Sequence, residues 1–588
     1  MNRSVAIQAI SDASMVWDCL ILGGGATGLG AAVEAAARGY KTLLVEKTDF
    51  AKGTSSRATK LAHGGVRYLQ QGNIGLVREA LQERGLMIKN APHLAHPLRF
   101  VIPAYKIWEI PFYAIGLGIY DRLAGGLSLG PSKTLSRSET VRHLPTVEQE
   151  HLKGGILYFD GQFDDARLAV TLAQTLSDLG GFPANYVEVV GVLKRENKIV
   201  GAMVRDRETG LEHEVKARSI VNATGVFVDS IRQMDEPGAG KMLAVSQGAH
   251  LVLPQSFLSG TSALMVPKTS DGRVLFGIPW HNRVILGTTD GPVPEPLEEP
   301  RIQEHEISFI LTEAAAYLAK DPTESDVLSC FAGLRPLVKA GHATKTSGLS
   351  REHTVVVSSS GLVTITGGKW TTYRRMGEDC INRVAELHGL PPVPSQTSHM
   401  PLHGYLKHAA DDHAAVYGTD RAKISDLAKS DAELANLFDS KLPYTKAEVV
   451  WAAREEMART VEDVLARRTR ALLLDSAAAL AAAPAVAAIL ARELGRDTEW
   501  QLKQVEEFKA VAKKYQLRPG TLFLQRAKVC KGSDLDPLVL RLQCHPMSSG
   551  LGIAPPYLTF ACREPRCGRA SKDDPDLRSE AFYPRPLD

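Results

Sequence analysis

The sequence predicts an α/β fold, and three observations near its N-terminus indicate it. Residues 19–22 form a short apolar run of the kind that a buried parallel strand shows. Residues 23–28 then place three glycines in the spacing G-x-G-x-x-G, and an Ala-rich helix follows them. A second strand, 42–45, ends at Glu46, which lies 18 residues after Gly28. Strand, glycine turn, helix, strand and terminal acid together predict a dinucleotide-binding unit.

Each part of this unit has a physical role in holding a nucleotide. Glycines allow a tight turn and let a pyrophosphate approach the backbone, and a helix N-terminus offers free N–H groups with a partial positive charge. A carboxylate at the end of the second strand can accept hydrogen bonds from ribose hydroxyls. We therefore expect Gly23, Gly25, Thr27 and Gly28 at the phosphates and Glu46 at the ribose. An ordinary Gly-rich turn of an α/β domain is the alternative.

Length and composition bound the class of protein. The 588 residues suffice for about two to four domains, and 44% hydrophobic with 23% charged residues is typical of a globular chain. A net charge of +3 is too small to indicate a nucleic-acid partner, and none is expected. The seven cysteines give no disulfide framework in so long a chain. Cys19, Cys330 and Cys380 lie in apolar contexts and are expected to be reduced, buried thiols of a cytoplasmic protein.

No stretch of the sequence predicts a membrane-spanning segment. The longest apolar candidate, 471–490, is interrupted by Asp475 and Pro484. Residues 1–17 include Asp12 and lack the apolar core of a secretory signal. The sequence therefore predicts a protein that does not span a membrane, although its surface could still lie on one.

Strand and helix patterns follow one another along the rest of the chain. Residues 181–222 alternate apolar and polar positions and contain two turn signals, which predicts a β-meander. Several further strands are expected within 245–290, and one is expected at 362–366. From residue 391 onward helices predominate, and 448–470 is expected to form one amphipathic helix.

The C-terminal helices carry charges that resemble a catalytic cluster only superficially. Glu455, Glu456, Arg467 and Arg468 recur at helical spacing, which favours a salt-bridged helix face. Residues 471–516 are Ala-rich, and helix punctuation is predicted there at Asp475, Pro484 and Gly495.

The last segment, 520–588, differs in composition from the rest. It is rich in Pro, Ser and charged residues and is expected to be a disordered tail. It contains Cys544, His545, Cys562 and Cys567, but their spacing is poor for zinc. No metal site is therefore predicted.

Three further blocks place small or hydroxyl-bearing residues beside strand ends. The first, 53–65, reads GTSSRATKLAHGG, and the second, 221–225, ends a strand with Ala-Thr-Gly. The third, 367–374, begins Gly-Gly-Lys-Trp and opens a helix. Such segments let the backbone lie against a flat ring system and phosphates, and a helix N-terminus can stabilise negative charge on the ring.

These blocks, in this order, resemble the flavin-dependent glycerol-3-phosphate dehydrogenases. The resemblance covers about residues 18–517 and leaves 1–16 and 520–588 outside it. The matching segments are 55–69, 164–168, 248–250, 278–280, 287–290, 333–337, 350–351, 366–369, 454–458 and 462–468.

The resemblance implies a fold and a division into domains. It implies a glutathione-reductase-like, FAD-binding Rossmann domain, a mainly antiparallel β-sheet cap that holds the substrate, and an all-α C-terminal domain. The implied boundaries are 17–92, 158–234 and 333–390 for the FAD-binding domain, 93–157 and 235–332 for the cap, 391–519 for the helical domain and 520–588 for the tail.

The resemblance also implies an activity and a set of ligands. The family holds FAD non-covalently, oxidises sn-glycerol 3-phosphate to dihydroxyacetone phosphate and passes the electrons to a quinone. Beyond the glycine turn and Glu46, the implied cofactor-binding residues are Ser55, Ser56, Lys60, Leu61, His63, Gly64, Gly65, Ala223, Thr224, Gly225, Gly368, Lys369, Trp370 and Thr371.

The substrate phosphate suits guanidinium groups, because arginine forms short, charge-assisted and bidentate pairs with it. Arg335 and Arg351 are the first candidates, and Arg67 with Tyr68 is a second pair. Two alternatives stay open. Arg351 could be an ordinary turn residue, and Arg335, which precedes a proline, could brace a loop.

Oxidation at C2 requires the substrate hydroxyl to lose a proton while C2 gives up a hydride. His250, in the segment Gly-Ala-His, suits the base because an imidazole titrates near neutral pH. Lys369 is expected to stabilise the developing alkoxide or the reduced flavin. His250, Lys369 and Arg335 are therefore the expected catalytic residues, with a purely structural role as the alternative for a lone histidine.

Two other functions compete with a quinone-linked dehydrogenase. A glycerophosphate oxidase would pass the electrons to oxygen and make hydrogen peroxide, but such oxidases carry an extra insertion in the cap that is not clear here. A non-catalytic FAD-binding module is the second alternative. The intact set of Arg67, His250, Arg335, Arg351 and Lys369 argues against it.

One aromatic-rich segment, 105–120, is a candidate for membrane contact. Trp108 and Phe112 lie in it, with Lys106 and Arg122 near its ends, and such rings favour the headgroup level while basic residues favour anionic lipid. A buried cap helix is the alternative. The resemblance implies peripheral attachment to the cytoplasmic, inner face of the cell membrane. The oligomeric state is left open, with a homodimer as one candidate.

Overall fold

Two β-sheets and a C-terminal group of helices make up the computed structural model, which describes residues 1–65, 72–339, 353–408 and 412–517. The strands are β1 (Val16–Leu22), β2 (Thr42–Glu46), β3 (Leu61–Ala62), β4 (Ala95–Ala104), β5 (Lys133–Ser136), β6 (Gly154–Phe163), β7 (Phe182–Asn185), β8 (Val187–Arg195), β9 (Lys198–Asp206), β10 (Glu212–Asn222), β11 (Leu243–Pro254), β12 (Ser262–Val266), β13 (Leu275–Trp280), β14 (Arg283–Gly287), β15 (Gly291–Val293), β16 (Ser329–Val338), β17 (His353–Val357) and β18 (Val363–Gly367). The α-helices are α1 (Arg3–Ser11), α2 (Ala26–Ala37), α3 (Ile74–Asn90), α4 (Glu109–Ala124), α5 (Arg137–His143), α6 (Asp165–Asp178), α7 (Val228–Asp235), α8 (Glu304–Ala315), α9 (Tyr373–His388), α10 (Arg421–Ser430), α11 (Lys446–Glu455), α12 (Ala471–Leu474), α13 (Ser476–Leu494) and α14 (Thr498–Ala512).

The first sheet is mainly parallel and carries the glycine turn. Its strand order is β17-β18-β10-β1-β2-β7, and β8 and β9 extend it from β10 as the antiparallel meander that the sequence predicts. Strands β18, β10, β1, β2 and β7 run parallel. Their carboxyl ends therefore share one edge of the sheet, which is where α/β proteins bind their ligands.

Helix α2 packs closely on helix α9 because both helices have glycines at the contact. A Cβ atom added at Gly30 would lie 2.7 Å from the carbonyl oxygen of Tyr373, and one added at Gly377 would lie 2.6 Å from that of Gly30. Larger side chains would push the helices apart. The contact holds the N-terminal end of α9, and with it the Gly-Gly-Lys turn, beside the helix that follows the glycine turn.

The second sheet is mainly antiparallel. Its strand order is β15-β11-β14-β13-β12-β4-β6-β3, with β16 paired to β11 and β5 paired to β6. Strands β14 and β16 flank β11, so His250 is in register with Gly287 on one side and with Phe331 on the other. Strand β6 crosses the predicted domain boundary at 157, and strand β16 crosses the one at 332. Strand β6 pairs with β4 along its whole length, and β16 pairs with β11 in the same way.

The predicted single helix over 448–470 is wrong. Helix α11 ends at Glu455, Met457 adopts a φ of +55°, and the π-helical turn Asp463–Arg468 follows. A residue in the left-handed region cannot continue a right-handed helix. The sequence pattern was helical on both sides of the break but contained no glycine or proline to mark it.

Three of the four charges expected on the face of that helix are buried instead. Both guanidinium ends of Arg167 donate to Glu456 at 2.7 Å, while Arg467 and Arg468 donate to Asp49 at 2.5 and 2.6 Å. The two arginines hold the pKa of Asp49 well below its ordinary value, against the effect of burial. The salt bridges to Asp49 and Arg167 thus join distant segments of the chain, while Arg467 also pairs with Asp463, four residues earlier in the same helical turn.

Helix α13 shows how the Ala-rich segment is punctuated. Asp475 caps its N-terminus by accepting a hydrogen bond from Ala478, and Gly495 ends it in the left-handed conformation, as the sequence predicts. Pro484, however, lies inside the helix rather than interrupting it. Among the described residues, α13 is the one helix whose length and composition would allow a membrane crossing, and 50% of that stretch is buried in the protein.

The cysteines of the described segments behave as predicted. Cys19, Cys330 and Cys380 are buried and are not in disulfides. Burial raises the pKa of the Cys19 and Cys330 thiols to about 12, so both are protonated at neutral pH.

Helix α4 has an exposed apolar face, which we call the α4 face. Its side chains are 43 to 74% exposed; Phe112, Ile115 and Ile119 lie at helical spacing on α4, and Ile107 and Trp108 lie in the turn just before it. The opposite side of the helix packs inward through Leu117, Tyr120 and Ala124. The alternative of a buried cap helix therefore holds for the inner side of α4 and not for the α4 face.

Candidate active site

A cavity of about 590 Å³ lies where the carboxyl ends of β1, β2 and β10 approach the second sheet. Both sheets contribute to its wall. The sequence-predicted site residues that line it are Gly23, Gly25, Thr27, Glu46, Ser55, Leu61, His63, Gly65, Ala223, Thr224, Gly225, His250, Arg335, Gly368, Lys369, Trp370 and Thr371. Four blocks that are far apart in the sequence thus meet around one space.

Three predicted substrate residues cannot be placed. Arg67, Tyr68 and Arg351 lie outside the residues that the structure describes, and so does the Cys/His cluster of the tail. The substrate-binding roles of Arg67, Tyr68 and Arg351 stay predictions from the resemblance.

The glycine turn leaves no room for side chains. Gly23 has a φ of +107°, and a Cβ atom added there would lie 2.7 Å from the carbonyl oxygen of Ala223. A Cβ atom at Gly28 would lie 1.9 Å from the carbonyl oxygen of Gly23. Gly28 is behind the cavity wall, where it lets α2 start directly against the turn. The first glycine therefore serves the backbone conformation, and the third serves the packing of helix on strand.

Glu46 is fixed at the end of β2. Its carboxylate accepts hydrogen bonds from the backbone N–H of Gly24 at 2.7 Å and from the N–H of Thr48 at 2.9 Å. It also lines the cavity. The side chain thus ties the glycine turn to β2 and presents a carboxylate to the same space.

The segment that follows β2 is anchored to the other blocks. The Ser55 hydroxyl accepts a hydrogen bond from the N–H of Ala26, at the start of α2, at 2.9 Å. The Ser55 carbonyl oxygen accepts one from the indole N–H of Trp370 at 2.9 Å. Ser56 and Gly64 are behind the wall, and the N–H of Gly64 donates to the Tyr120 hydroxyl at 2.8 Å.

Lys60 does not line the cavity. Its ammonium group is fully buried and donates to both carboxylate oxygens of Asp165, at 2.8 and 2.7 Å, and to the carbonyl oxygen of Ser56 at 2.9 Å. These contacts use all three protons of the ammonium group. Burial lowers the pKa of Lys60 to about 8 against the opposing effect of Asp165. The expected contact with the cofactor is thus replaced by an internal ion pair.

His250 lies on β11 at the centre of the site and is 2% exposed. Its ring stacks on Phe331 with centroids 4.7 Å apart, and its Nε2 atom is 2.9 Å from the hydroxyl oxygen of Thr59. A Cβ atom at Gly287 would lie 2.3 Å from the imidazole Cδ2, so only glycine leaves room for the ring there. Burial, and then the charges of Lys60 and Arg335, hold the pKa of His250 well below its ordinary value.

Arg335 reaches the cavity from β16, next to β11. Its Nη1 donates to the Asp290 carboxylate at 3.0 Å, and its Nη2 donates to the Thr288 hydroxyl and the Thr289 carbonyl oxygen, both at 3.1 Å. A Cβ atom at Gly248 would lie 2.2 Å from Nη2. The glycine of the Gly-Ala-His segment therefore makes space for the arginine of the Gly-Leu-Arg segment.

Lys369 lines the cavity at the start of a helical turn. Gly367 and Gly368 have φ values of +81° and +68°, and the short helical turn Trp370–Thr372 then leads into α9. Two successive residues in the left-handed region explain why the segment requires glycines. The turn places Lys369 and the helix N-terminus on the wall together.

Several residues of the site had no assigned role in the sequence. Thr59 and Asp165 lie inside quoted segments, but neither segment marks them as partners of His250 or Lys60. Arg470 donates to Asp165 at 2.6 Å across 305 residues of chain, and no local pattern indicates that contact. Arg57 braces the loop after β2 by donating to the carbonyl oxygens of Lys52 and Gly53. The contacts of Thr59, Asp165 and Arg470 become visible only when the two sheets and the C-terminal helices pack together.

Two family models match the chain. A model described as FAD dependent oxidoreductase matches residues 18–374, and one described as the C-terminal domain of alpha-glycerophosphate oxidase matches residues 362–501. The first covers more than half of the chain.

Individual relatives agree with these models. Glycerol-3-phosphate dehydrogenase, mitochondrial, of Homo sapiens is 40% identical over 526 residues, which are 83% of this chain and 72% of that protein. The enzyme of the same name from Schizosaccharomyces pombe is 38% identical over 86% of this chain and 88% of its own length. The structure of glycerol-3-phosphate dehydrogenase from Bacillus halodurans complexed with FAD matches with a TM-score of 0.72 and 30% identity, covering 87% of this chain and 97% of that one.

Proposed function

The chain belongs to the FAD-dependent glycerol-3-phosphate dehydrogenase family, and from that membership we propose how its residues carry out the reaction and where the electrons go. The protein is an oxidoreductase that binds FAD and oxidises sn-glycerol 3-phosphate to dihydroxyacetone phosphate. The roles of individual residues, the quinone acceptor, the membrane contact and the location are our proposals.

The residues around the cavity fit FAD. Gly23, Gly25 and Thr27 of the glycine turn line the cavity next to the start of α2, where a pyrophosphate could approach the backbone, and Glu46 lines the same space. The segments 53–65, 223–225 and 368–371 supply the rest of the binding surface. Bound FAD supplies the hydride acceptor, while the chain supplies binding, orientation and proton transfer.

His250 is the proposed base. Its lowered pKa keeps the imidazole neutral at physiological pH, so a nitrogen lone pair is available to accept the proton of the C2 hydroxyl. The stack on Phe331 and the contact with Gly287 fix the plane of the ring. Lys369, on the cavity wall, is proposed to stabilise negative charge that develops as the hydroxyl loses its proton.

Arg335 is the proposed phosphate ligand among the described residues. Asp290, Thr288 and Thr289 hold its guanidinium plane at the cavity wall, which limits the conformational entropy that it loses when it binds an anion. Arg67, Tyr68 and Arg351 are proposed to complete the phosphate site from the segments outside the described residues.

The acceptor proposed for the electrons is a quinone in the membrane. The α4 face supports this proposal because five large apolar side chains lie exposed together, and exposed Lys106 and Arg122 lie near its ends. We propose that this face rests on an anionic membrane, peripherally and from the cytoplasmic side. The relatives from Homo sapiens and Schizosaccharomyces pombe are named as mitochondrial enzymes, so any membrane that they contact would be a mitochondrial one.

A glycerophosphate oxidase is the second candidate. The observation that supports it is the match of residues 362–501 to a model described as the C-terminal domain of alpha-glycerophosphate oxidase. The relatives at about 40% identity are named dehydrogenases, which is why the quinone-linked reaction is proposed first.

One observation carries the proposed mechanism: His250 and Arg335 lie on the wall of the same cavity as the glycine turn. The test is to reduce the purified flavoprotein anaerobically with glycerol 3-phosphate and then to mix it with either a quinone analogue or oxygen. We expect rapid reduction and much faster reoxidation by the quinone analogue. Faster reoxidation by oxygen, with stoichiometric hydrogen peroxide, would identify the oxidase. Failure of glycerol 3-phosphate to reduce the flavin would contradict both.

A further inference from the structure

Among the described residues, the proposed proton acceptor His250 has one side-chain hydrogen-bond partner, and that partner is Thr59. Nδ1 of the imidazole is buried and has no hydrogen-bond partner within residues 1–65, 72–339, 353–408 and 412–517. Phe331 covers one face of the ring, and Gly287 lies against the Cδ2 edge. Nε2 is 2.9 Å from the Thr59 hydroxyl oxygen, and both residues line the cavity. The Thr59 hydroxyl therefore offers a hydrogen-bonded path from the cavity to Nε2 of His250.

Thr59 is held in place from both sides by one carboxylate. Asp165 accepts a hydrogen bond from the N–H of Ala58 at 2.9 Å and two from the ammonium group of Lys60 at 2.8 and 2.7 Å. Arg470 in turn donates to Asp165 at 2.6 Å. The residues on each side of Thr59 are thus fixed, so the position of its hydroxyl is determined by the fold rather than by a mobile loop. The ion pair between Lys60 and Asp165, which does not line the cavity, therefore serves to position Thr59.

We propose that Thr59 is a catalytic residue that relays the proton from the substrate to His250. The relay rests on the proposed function, in which His250 is the base. As the O–H bond of the C2 hydroxyl breaks, its proton passes to the Thr59 oxygen, and the proton of Thr59 passes to Nε2. Bound FAD would supply the oxidant, by accepting the C2 hydrogen as a hydride. The products would then be the ketone, reduced FAD and an imidazolium, which returns its proton to water when the ketone leaves.

A relay makes a prediction that simple orientation of the imidazole does not make. Two protons move in the relay, whereas one proton moves if Nε2 takes the substrate proton directly. The rate of flavin reduction should therefore depend on the deuterium fraction of the solvent as a curve that two transferred protons produce. A hydroxyl that only orients His250 would leave a straight line.

The experiment compares two substitutions at Thr59 in the FAD-loaded protein. Thr59→Val keeps the shape of the side chain and removes the hydroxyl, while Thr59→Ser keeps the hydroxyl. We expect Thr59→Val to reduce its flavin roughly 10- to 100-fold more slowly with a linear solvent dependence, within the range of proton-transfer catalysis, and Thr59→Ser to restore most of the rate and the curvature. Thr140→Val is the matched control, because its buried hydroxyl donates to the Ser136 carbonyl oxygen and does not line the cavity.

A measurement other than activity completes the test. In protein labelled with ¹⁵N-histidine, the Nε2 resonance of His250 should shift in Thr59→Val and remain near wild type in Thr59→Ser.

Wild-type reduction rates in Thr59→Val, or a linear solvent dependence in the wild type, would overturn the relay. His250→Asn separates the two levels of inference: if it reduces its flavin at the wild-type rate, the proposed base is wrong, whereas a slow His250→Asn beside a fast Thr59→Val removes the relay alone. If Thr59→Val does not retain FAD, the curvature in wild type and Thr59→Ser still decides.

Discussion

Arg335 and Asp290 form an ion pair at the cavity wall, with Nη1 and the carboxylate oxygen 3.0 Å apart. The arginine comes from β16 and the aspartate from the segment after β14, so two strands on opposite sides of β11 meet over it. The side chain of Arg335 is 25% exposed, which leaves it accessible from the cavity. Asp290 therefore sets the orientation in which the guanidinium would meet a phosphate.

The first prediction follows from this pair. Arg335→Ala should raise the KM for glycerol 3-phosphate about 10- to 100-fold, because a hydrogen bond to a charged group contributes roughly 1.5–3 kcal/mol. The KM for glycerol, which lacks the phosphate, should change little. Arg335→Lys is the matched variant and should give an intermediate value, since it keeps the charge but loses the planar fork. Equal losses on both substrates would assign Arg335 a structural role.

The second prediction concerns Glu46. Glu46→Leu should lower the affinity for FAD at least tenfold, because it removes a charge-assisted hydrogen bond to the ribose, worth roughly 1.5–3 kcal/mol. The same change removes the contact with the N–H of Gly24. Glu46→Gln keeps an acceptor oxygen for that contact and should lose less affinity. Titration of the FAD-free protein followed by flavin fluorescence measures both, and unchanged affinity in Glu46→Leu would show that this acid is not the ribose ligand.

The third prediction is a pH dependence. His250 must be neutral to accept a proton, and its pKa lies well below its ordinary value of 6.5. The rate of flavin reduction at low substrate should therefore stay constant as the pH falls through 6.5 and decrease only at lower pH. His250→Asn should retain FAD, reduce it about 10²- to 10⁴-fold more slowly and lose this acid limb. An acid limb at or above the ordinary value for histidine would contradict the assignment.

The fourth prediction concerns the α4 face. Trp108→Ser combined with Phe112→Ser should weaken binding to vesicles of phosphatidylglycerol and phosphatidylcholine roughly tenfold or more, because two large apolar side chains no longer enter the interface. Quinone-linked turnover should fall, while turnover with a soluble dye should survive. Leu502→Ser is the control, since Leu502 is 67% exposed on α14, outside this face. If wild-type protein does not sediment with anionic vesicles at low salt, the membrane proposal is wrong.

The fifth prediction is a stability effect outside the cavity. His403 lies between Asp178 and Asp420, at 2.6 and 2.7 Å, and these hydrogen bonds raise its pKa to about 9. A histidine with a raised pKa stabilises the folded state fully below its unfolded pKa, near 6.5, and this stabilisation is lost as the pH rises through about 9. His403→Gln should therefore lower the free energy of unfolding by about 1 kcal/mol at pH 6, after allowance for solvent screening.

The same substitution should have little effect at pH 10, where the wild-type imidazole is already neutral. Chemical unfolding at both pH values measures the difference. His399→Gln replaces an exposed histidine and is the control. A destabilisation by His403→Gln that is equal at both pH values would mean that packing, and not the charge, is responsible.

Much of the site could be predicted from the sequence because its signals are local. The turn at 23–28, the acid Glu46 and the Gly-Gly-Lys segment each combine a strand end with glycines that only a tight backbone requires. The glycine of Gly-Ala-His has an equally physical reason, since a Cβ atom there would collide with Arg335. At these positions the residue type itself indicates the constraint on the backbone or on the packing.

Other interpretations failed where the constraint was not local. The pattern over 448–470 has helical periodicity, yet α11 ends at Glu455, and Glu456, Arg467 and Arg468 pair with distant residues. Lys60 lies within a segment that otherwise lines the cavity, but Asp165 draws its ammonium group behind the wall. Periodicity and motif position cannot show which partner a buried charge finds.

The dinucleotide-binding unit and the family resemblance could be predicted from the sequence alone, because apolar runs, glycine spacing and strand-end acids act over a few residues. The contacts of Thr59 with Nε2 of His250 and of Arg470 with Asp165 span 191 and 305 residues, and they depend on the tertiary fold. The exposed side of α4 depends on it as well. Such contacts arise when two sheets and a helical domain bury their apolar faces together, and the charges enclosed by that packing must then find partners in space rather than along the chain.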